Sequence, residues 1–239
     1  KFHHRQSAML FSSAFAANVA IIASLIKGQS KDSLVSDQTL VVSDELNHRS
    51  IIEGIRVANL PSEQRFVFRH LDSADLKKIL TQNQSKYQRA LVITDGIFSM
   101  LGQAANIKAL RQVCDQLDSR YPQGIILVVD DSHGVAAYGS TGRGCEQATH
   151  AQADILVATL GKGFGADGGY AVGSKIIVDY LRESAATYIY SNPVSPAVAG
   201  AGLAAVNLVS SPQGKKLLQN LSRNITRFKQ KIIDAGFTL

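Results

Sequence analysis

"GIILVVDD", residues 124–131, decides the fold. Five consecutive aliphatic residues, Ile125 to Val129, stand between a glycine and two aspartates. A strand that is apolar on alternating faces needs cover on one side only, whereas one that is apolar throughout needs cover on both. The second kind belongs to a parallel sheet sandwiched between helices. Working outward, the same texture recurs in "TLVVSD" (39–44), "RFVFRH" (65–70), "RALVITDG" (89–96), "ADILVATLG" (153–161) and "GGYAVGS" (168–174). Between these runs lie helical patterns: "FAANVAIIASLI" (15–26), "HRSIIEGIRVA" (48–58), "SADLKKILTQN" (73–83), with Ser73 read as its cap, and "ANIKALRQVCDQLDSR" (105–120). From Lys175 onward the chain reads as mostly helical. Strand–helix alternation of this kind predicts a three-layer α/β/α fold with a mostly parallel sheet.

The composition agrees with a folded domain. The chain has 239 residues, 45% of them hydrophobic and 18% charged, without an internal repeat or a low-complexity segment. No run of about 18 apolar residues is present, so no membrane span is expected. Net charge is +6 with the basic residues dispersed. This suits anionic small molecules, and no nucleic-acid partner is expected. Cys114 and Cys145 have no metal spacing and read as two free thiols, which fits a cytoplasmic setting or an organellar matrix. No metal is expected. The start at Lys1 and the close on "DAGFTL", read as a helix, a turn and the first residues of a strand, suggest a fragment cut at both ends.

In parallel sheets ligands bind beyond the carboxyl ends of the strands. The segments there are "SDELNH", "TDGIFSM", "DDSHG" and "TLGKGFG". They gather Asp44, Asn47, His48, Asp95, Ser99, Asp130, Asp131, His133, Thr159 and Lys162 at one rim. One glycine pattern there is a decoy. "GFGADG" (163–168) matches the dinucleotide turn, but a strand-like "GYAVGS" follows where that turn needs a helix.

Lys162 lies among five glycines in "ATLGKGFGADGG" (158–169). An amine in a partly desolvated, glycine-rich turn is a nucleophile suited to an aldehyde, and small neighbours admit a flat ring. Asp130, 32 residues earlier at the end of a buried strand, could hold a protonated pyridine nitrogen. His133 could donate to the ring's phenolic oxygen. Together these residues point to pyridoxal phosphate.

With these residues in place the chain resembles the α-oxoamine synthases, within the fold-type I pyridoxal-phosphate enzymes. The motifs "LFSSAFAAN", "SDELNHRSIIEGIR", "TDGIFSM", "VVDDSHGVAAYGSTGRG", "TLGKGFGADGGY" and "YIYSN" fall in family order along nearly the whole chain. The resemblance implies that Lys162 forms the Schiff base and shuttles the proton at the substrate's α-carbon. It implies that Asp130 pairs with the pyridine nitrogen, that His133 contacts the ring oxygen and that His48 stacks on the ring. Ser99 would bond near the ring oxygen or the substrate carboxylate. Ala14 and Phe15 would offer backbone N–H groups to the phosphate, and Thr159 its hydroxyl. Ser191 and Asn192 would reach the phosphate of a neighbouring subunit in a homodimer with its site at the interface. Residues 1–210 would form the cofactor-binding large domain, with the family's N-terminal arm missing, and 211–239 the start of a small C-terminal domain.

The activity implied is condensation of an amino acid with an acyl-CoA. "SDELNH…IIEGIR", "TLGK…GGY", "YSN" and "AGFTL" lean toward the branch that joins glycine to acetyl-CoA, the glycine C-acetyltransferases. "DDSHG" and "GKGFG" lean toward the 8-amino-7-oxononanoate synthases, which use a longer acyl chain. An aminotransferase and an inactive partner subunit are further alternatives. Arg49, where a small residue is common, is a departure beside His48. Asp131 is expected to orient its loop and Arg143 to brace one. His70 and His150, outside the motifs, are expected on the surface.

Overall fold

The computed structural model describes residues 1–28 and 35–238. In chain order they form β1 (Ser7–Phe11), α1 (Ala14–Ile26), β2 (Thr39–Asp44), α2 (Arg49–Val57), β3 (Arg65–Phe68), α3 (Ser73–Asn83), β4 (Arg89–Asp95), α4 (Ile107–Leu117), β5 (Ile125–Asp130), α5 (Cys145–Thr149), β6 (Ile155–Thr159), β7 (Gly169–Gly173), α6 (Lys175–Ser184), α7 (Ala186–Ile189), α8 (Pro196–Val209) and α9 (Pro212–Asp234). The sheet has the order β1-β7-β6-β5-β4-β2-β3. Strands β3, β2, β4, β5 and β6 run parallel, while β7 pairs antiparallel with both β6 and β1. This is the α/β fold expected, with a mixed but mostly parallel sheet.

The strand that decides the fold shows why three layers are required. Ile125, Leu127 and Val129 of β5 pack with α3 and α4 residues such as Leu76, Leu80, Ile107 and Leu110. Val128, together with the half-buried Ile126, packs on the opposite face with Ile21, Ile22 and Leu25 of α1, Ile51 of α2 and Leu181 of α6. Strands β2, β4 and β6 divide their residues between the same two cores. At about 25 cal/mol for each Å² of apolar surface buried, both faces of the sheet contribute to stability.

Several expectations need correction. The helix at 73–83 is capped by Asp72, whose carboxylate accepts from Ala74 N (3.0 Å) and Asp75 N (2.9 Å), and Ser73 is its first residue. Aspartate is a strong cap because its oxygen meets two otherwise unpaired N–H groups. Strand β1, which the sequence reading left out, covers the far edge of β7. No strand follows the turn at Gly236 among the described residues. His70 is not a surface residue. Its side chain is 13% exposed, with Nδ1 2.9 Å from Asp44 Oδ1, Nε2 2.8 Å from Gln103 Oε1 and its ring edge-on to Phe98. His150 is exposed as expected. The boundary expected at 210/211 falls in the turn between α8 and α9. Among the described residues no helix is long and apolar enough to cross a membrane. Cys114 and Cys145 are both free and buried.

Candidate active site

The parallel strands bring their carboxyl ends to one rim, and the N-terminus of α1 faces the same place. A cavity of about 260 Å³ lies there. Ala14, Phe15, His48, Asp95, Ser99, Asp130, His133, Thr159 and Lys162 line it, nine of the residues singled out in the sequence. Ser13, Ser50, Ile97 and Ser132 complete the wall. Ser191 and Asn192 do not line it; they are exposed in the segment after α7.

The register of the sheet sets the floor. Asp130, the last residue of β5, is 5% exposed and stands opposite Asp95 on β4. Three donors surround its carboxylate. Ser132 N (3.0 Å) and Ser132 Oγ (2.5 Å) donate to Oδ1, and Asn18 Nδ2 (2.5 Å) donates to Oδ2. Asn18 also donates to Ser50 Oγ (2.9 Å), and Ser50 Oγ lies 2.7 Å from His48 Nδ1. A hydrogen-bonded line therefore runs from the floor aspartate to the histidine on the wall. Sequence reasoning missed Asn18 as a site-supporting residue. Its signal was one amide inside the otherwise apolar helix "FAANVAII", because a buried polar group calls for partners, here both on its Nδ2.

His48 is the N-cap of α2, and its ring nitrogen accepts from Ser50 N at 3.3 Å. Arg49 points its charge elsewhere: it pairs with Glu53 one turn on (2.6 Å) and is 65% exposed. The helix α1 begins at the cavity with Ser13 as its cap. Ala16 N donates to Ser13 Oγ (3.0 Å) and Ala17 N to the Ser13 carbonyl (3.1 Å). The N–H groups of Ala14 and Phe15 have no acceptor inside the helix, which makes this end a site for an anion. Gly169 of β7 permits the approach: a Cβ there would lie 2.2 Å from Ala14 N. Thr159 Oγ1 is already engaged, donating to Gly168 O (3.1 Å) and accepting from Gly161 N (3.1 Å).

Lys162 Nζ lies 2.8 Å from His133 Nε2. Partial desolvation by its neighbours first, and then the Lys162 cation, hold His133 below the ordinary imidazole value, so the neutral ring accepts the bond. Both side chains are exposed, which corrects the expectation of a desolvated lysine: the glycines around it open the turn to solvent. The dinucleotide reading of that turn fails, because β7 follows it and no helix does. Asp131, behind the floor, accepts Cys145 N on Oδ2 (2.6 Å) and orients the loop that carries His133. Arg143 Nε bonds Thr141 Oγ1 (3.1 Å) within that same loop.

The sequence model of the family described as "Aminotransferase class I and II" matches residues 1–239. The chain is 38% identical over 238 residues to an 8-amino-7-oxononanoate synthase of Citrifermentans bemidjiense, covering 99% of this chain and 56% of the synthase. It is 37% identical over 242 residues to the mitochondrial 2-amino-3-ketobutyrate coenzyme A ligase of Bos taurus, covering 100% of this chain and 53% of the ligase. Among solved structures, a serine palmitoyltransferase variant from S. paucimobilis with a bound PLP–myriocin aldimine superposes with a TM-score of 0.85 at 26% identity. That match covers 100% of this chain and 57% of the other. The chain spans about half the length of the curated relatives it matches.

Proposed function

We infer the activity from one premise: the chain belongs to the aminotransferase class I and II family, and within it to the α-oxoamine synthases. The protein is a pyridoxal-phosphate-dependent acyltransferase that condenses an amino acid with an acyl-CoA. The observation that carries this reading is one cavity uniting Lys162, His133 and Asp130 with a helix end that has N–H groups to spare.

The residues fit the cofactor. Ala14 and Phe15 supply backbone donors for its phosphate, at an approach that only glycine at 169 allows. Thr159 adds its hydroxyl by giving up its bond to Gly168. Asp130, anchored by Asn18 and Ser132, would hold the proton of the pyridine nitrogen. His133 would meet the phenolic oxygen, Ser99 would bond beside it, and His48 would cover the ring face. When bound, pyridoxal phosphate supplies an aldehyde and a ring that takes up the electron pair of a broken bond at Cα. Lys162, in the cavity wall, would hold the cofactor by its aldehyde and would be the group placed to move the proton at the substrate's α-carbon. His133, neutral and 2.8 Å from the amine, is placed to steady the lysine in both tasks. Ser191 and Asn192 serve a second copy's phosphate in a homodimer, and residues 211–239 begin a second domain.

The preferred substrates are glycine and acetyl-CoA, in keeping with the motifs that lean that way. A second reading is favoured by the near-equal identity to the oxononanoate synthase. The product in that relative's name has a methyl group beside its amino carbon, so alanine and a seven-carbon dicarboxylic acyl-CoA would make it with loss of carbon dioxide. The test uses the full-length protein, loaded with pyridoxal phosphate, desalted and scanned in the visible. A retained yellow colour that shifts with glycine is expected, and Lys162→Ala abolishes the starting band. Release of CoA is then compared for glycine with acetyl-CoA and for alanine with the longer thioester. A colourless wild-type protein, unchanged by either amino acid, would refute the enzymatic reading and favour an inactive partner subunit.

A further inference from the structure

Two carboxylates share the cavity floor, and only one of them is provided for as an anion. Asp95 and Asp130 are register partners on adjacent parallel strands. Both are buried, at 6% and 5% exposure. Asp130 accepts three hydrogen bonds. Among the described residues the Asp95 carboxylate accepts one, from the His48 backbone N–H to Oδ2 at 3.0 Å. Two neighbouring buried carboxylates do not both ionise, and the charge stays on the one with more donors.

The rest of Asp95 is fastened. Its N–H donates to Asn47 Oδ1 (2.8 Å), and Asn47 Nδ2 donates to Ile93 O and Ser43 Oγ (both 2.8 Å). The turn that ends in His48 is therefore tied to β4 at two adjacent residues. The charged and titratable groups facing Asp95 are Asp130 on β5, Asp44 on β2, His48 at the start of α2 and Lys162 in the turn after β6. Lys162 is the one cation among them, and it lies 2.8 Å from His133.

We propose that Asp95 is a positioning residue that carries a proton at neutral pH: its neutral carboxyl fixes the His48 backbone over the cavity and leaves the negative charge of the floor to Asp130. Burial first, and then the charge of Asp130, push Asp95 up to about 8. The catalytic consequence rests on the function proposed above, whereas the protonation does not.

The test compares full-length wild type with Asp95→Asn, cofactor-free. Asparagine can still accept the His48 N–H, and it does not titrate. Because the folded state of wild type holds the extra proton, the contribution of Asp95 to its stability falls as pH rises from about 4 to about 8. The Asn variant is expected to gain at least about 3 °C in Tm on wild type between about pH 5 and pH 8. A Tm difference that is the same at every pH would overturn the proposal. Should the variant not fold, carbon-13 NMR of aspartate-labelled wild type decides: because burial also pushes Asp131 up to about 7, two carboxyls titrating above about pH 6 are expected, and fewer than two overturns the proposal equally. In the loaded enzyme, wild-type kcat/KM is expected to fall above about pH 8 and the Asn variant to lack that limb. Asp95→Ala is expected to lose about tenfold or more in kcat, which Asn restores. An aspartate that only held the loop would leave the alkaline limb in place. A wild-type protein that stays colourless with pyridoxal phosphate refutes the function and leaves the titration result standing.

Discussion

At the scale of single residues, the second aspartate of "DDSHG" shows how tightly the loop behind the site is built. Asp131 is fully buried, and a Cβ at Gly96, Gly134 or Gly144 would lie 2.3, 2.2 or 1.8 Å from its carboxylate oxygens. Its N–H donates to Val157 O (2.9 Å), and its carbonyl accepts from Gly134 N and Val135 N (3.0 and 3.1 Å). Three glycines from three segments thus give up their side chains to seat one carboxyl, and burial pushes that carboxyl up to about 7. Of the three, only Gly144 lies in the left-handed region, so alanine at Gly96 tests space alone. Gly96→Ala is expected to cost about 2 kcal/mol by overpacking, read as a lower urea midpoint at unchanged m. An unchanged midpoint would mean that Asp131 yields without cost. The same scale explains what was legible. Lys162, Asp130 and His133 could be found in sequence because chemistry restricts their types and topology places them at strand ends. His70 could not: its role depends on Asp44 and Gln103, which are distant in sequence, and no local pattern announces such a bond.

At the scale of elements, strands apolar on both faces were the ones that could be read. β2, β4, β5 and β6 lie within the sheet, so burial filled their central positions with aliphatic residues and made a signal. β1 is an edge strand of five residues, "SAMLF", whose pattern alternates between exposed and buried. Its exposed positions, Ala8 and Leu10, are apolar as well, so no alternation shows in the sequence, and a run of four apolar residues does not by itself tell a strand from a helix. Helix α1 combines both kinds of information. Its apolar body packs on the sheet, and its cap sets the direction of the two spare N–H groups at the cavity. Replacing that cap, Ser13→Ala, is expected to cost about 1 kcal/mol of stability. It should also weaken retention of pyridoxal phosphate on desalting, because the first turn frays where the phosphate is held. Unchanged retention with lowered stability would separate the cap from the phosphate site.

At the scale of the whole molecule, the N-terminal residues clasp the face of the sheet away from α1. Arg5 pairs with Glu146 at 2.5 Å and donates to Ala153 O (2.7 Å), Phe2 packs edge-on to Phe164, and His3 Nε2 lies 2.8 Å from Tyr170 Oη on β7. His3 is 7% exposed. Burial, with Arg5 and Arg143 adding to it, holds it down to about 3 against a free value of 6.5. The folded state therefore keeps His3 neutral where the unfolded chain takes up a proton. Stability from this residue is fully present above pH 6.5 and is lost as the pH falls through the window toward 3. By pH 5 the loss is about 2 kcal/mol, the cost of withholding a proton that the unfolded chain binds freely. Asp95 and Asp131, whose carboxyls burial pushes up, act in the opposite sense over the same range, so the contribution of His3 is read as the difference between a variant and wild type. His3→Gln keeps a polar partner for Tyr170 without titrating, and its urea-derived stability is expected to fall less than that of wild type between pH 7 and pH 5. Equal losses in both proteins would show that the clasp opens before His3 takes up its proton, and that its neutrality does not govern the acid limit of the fold.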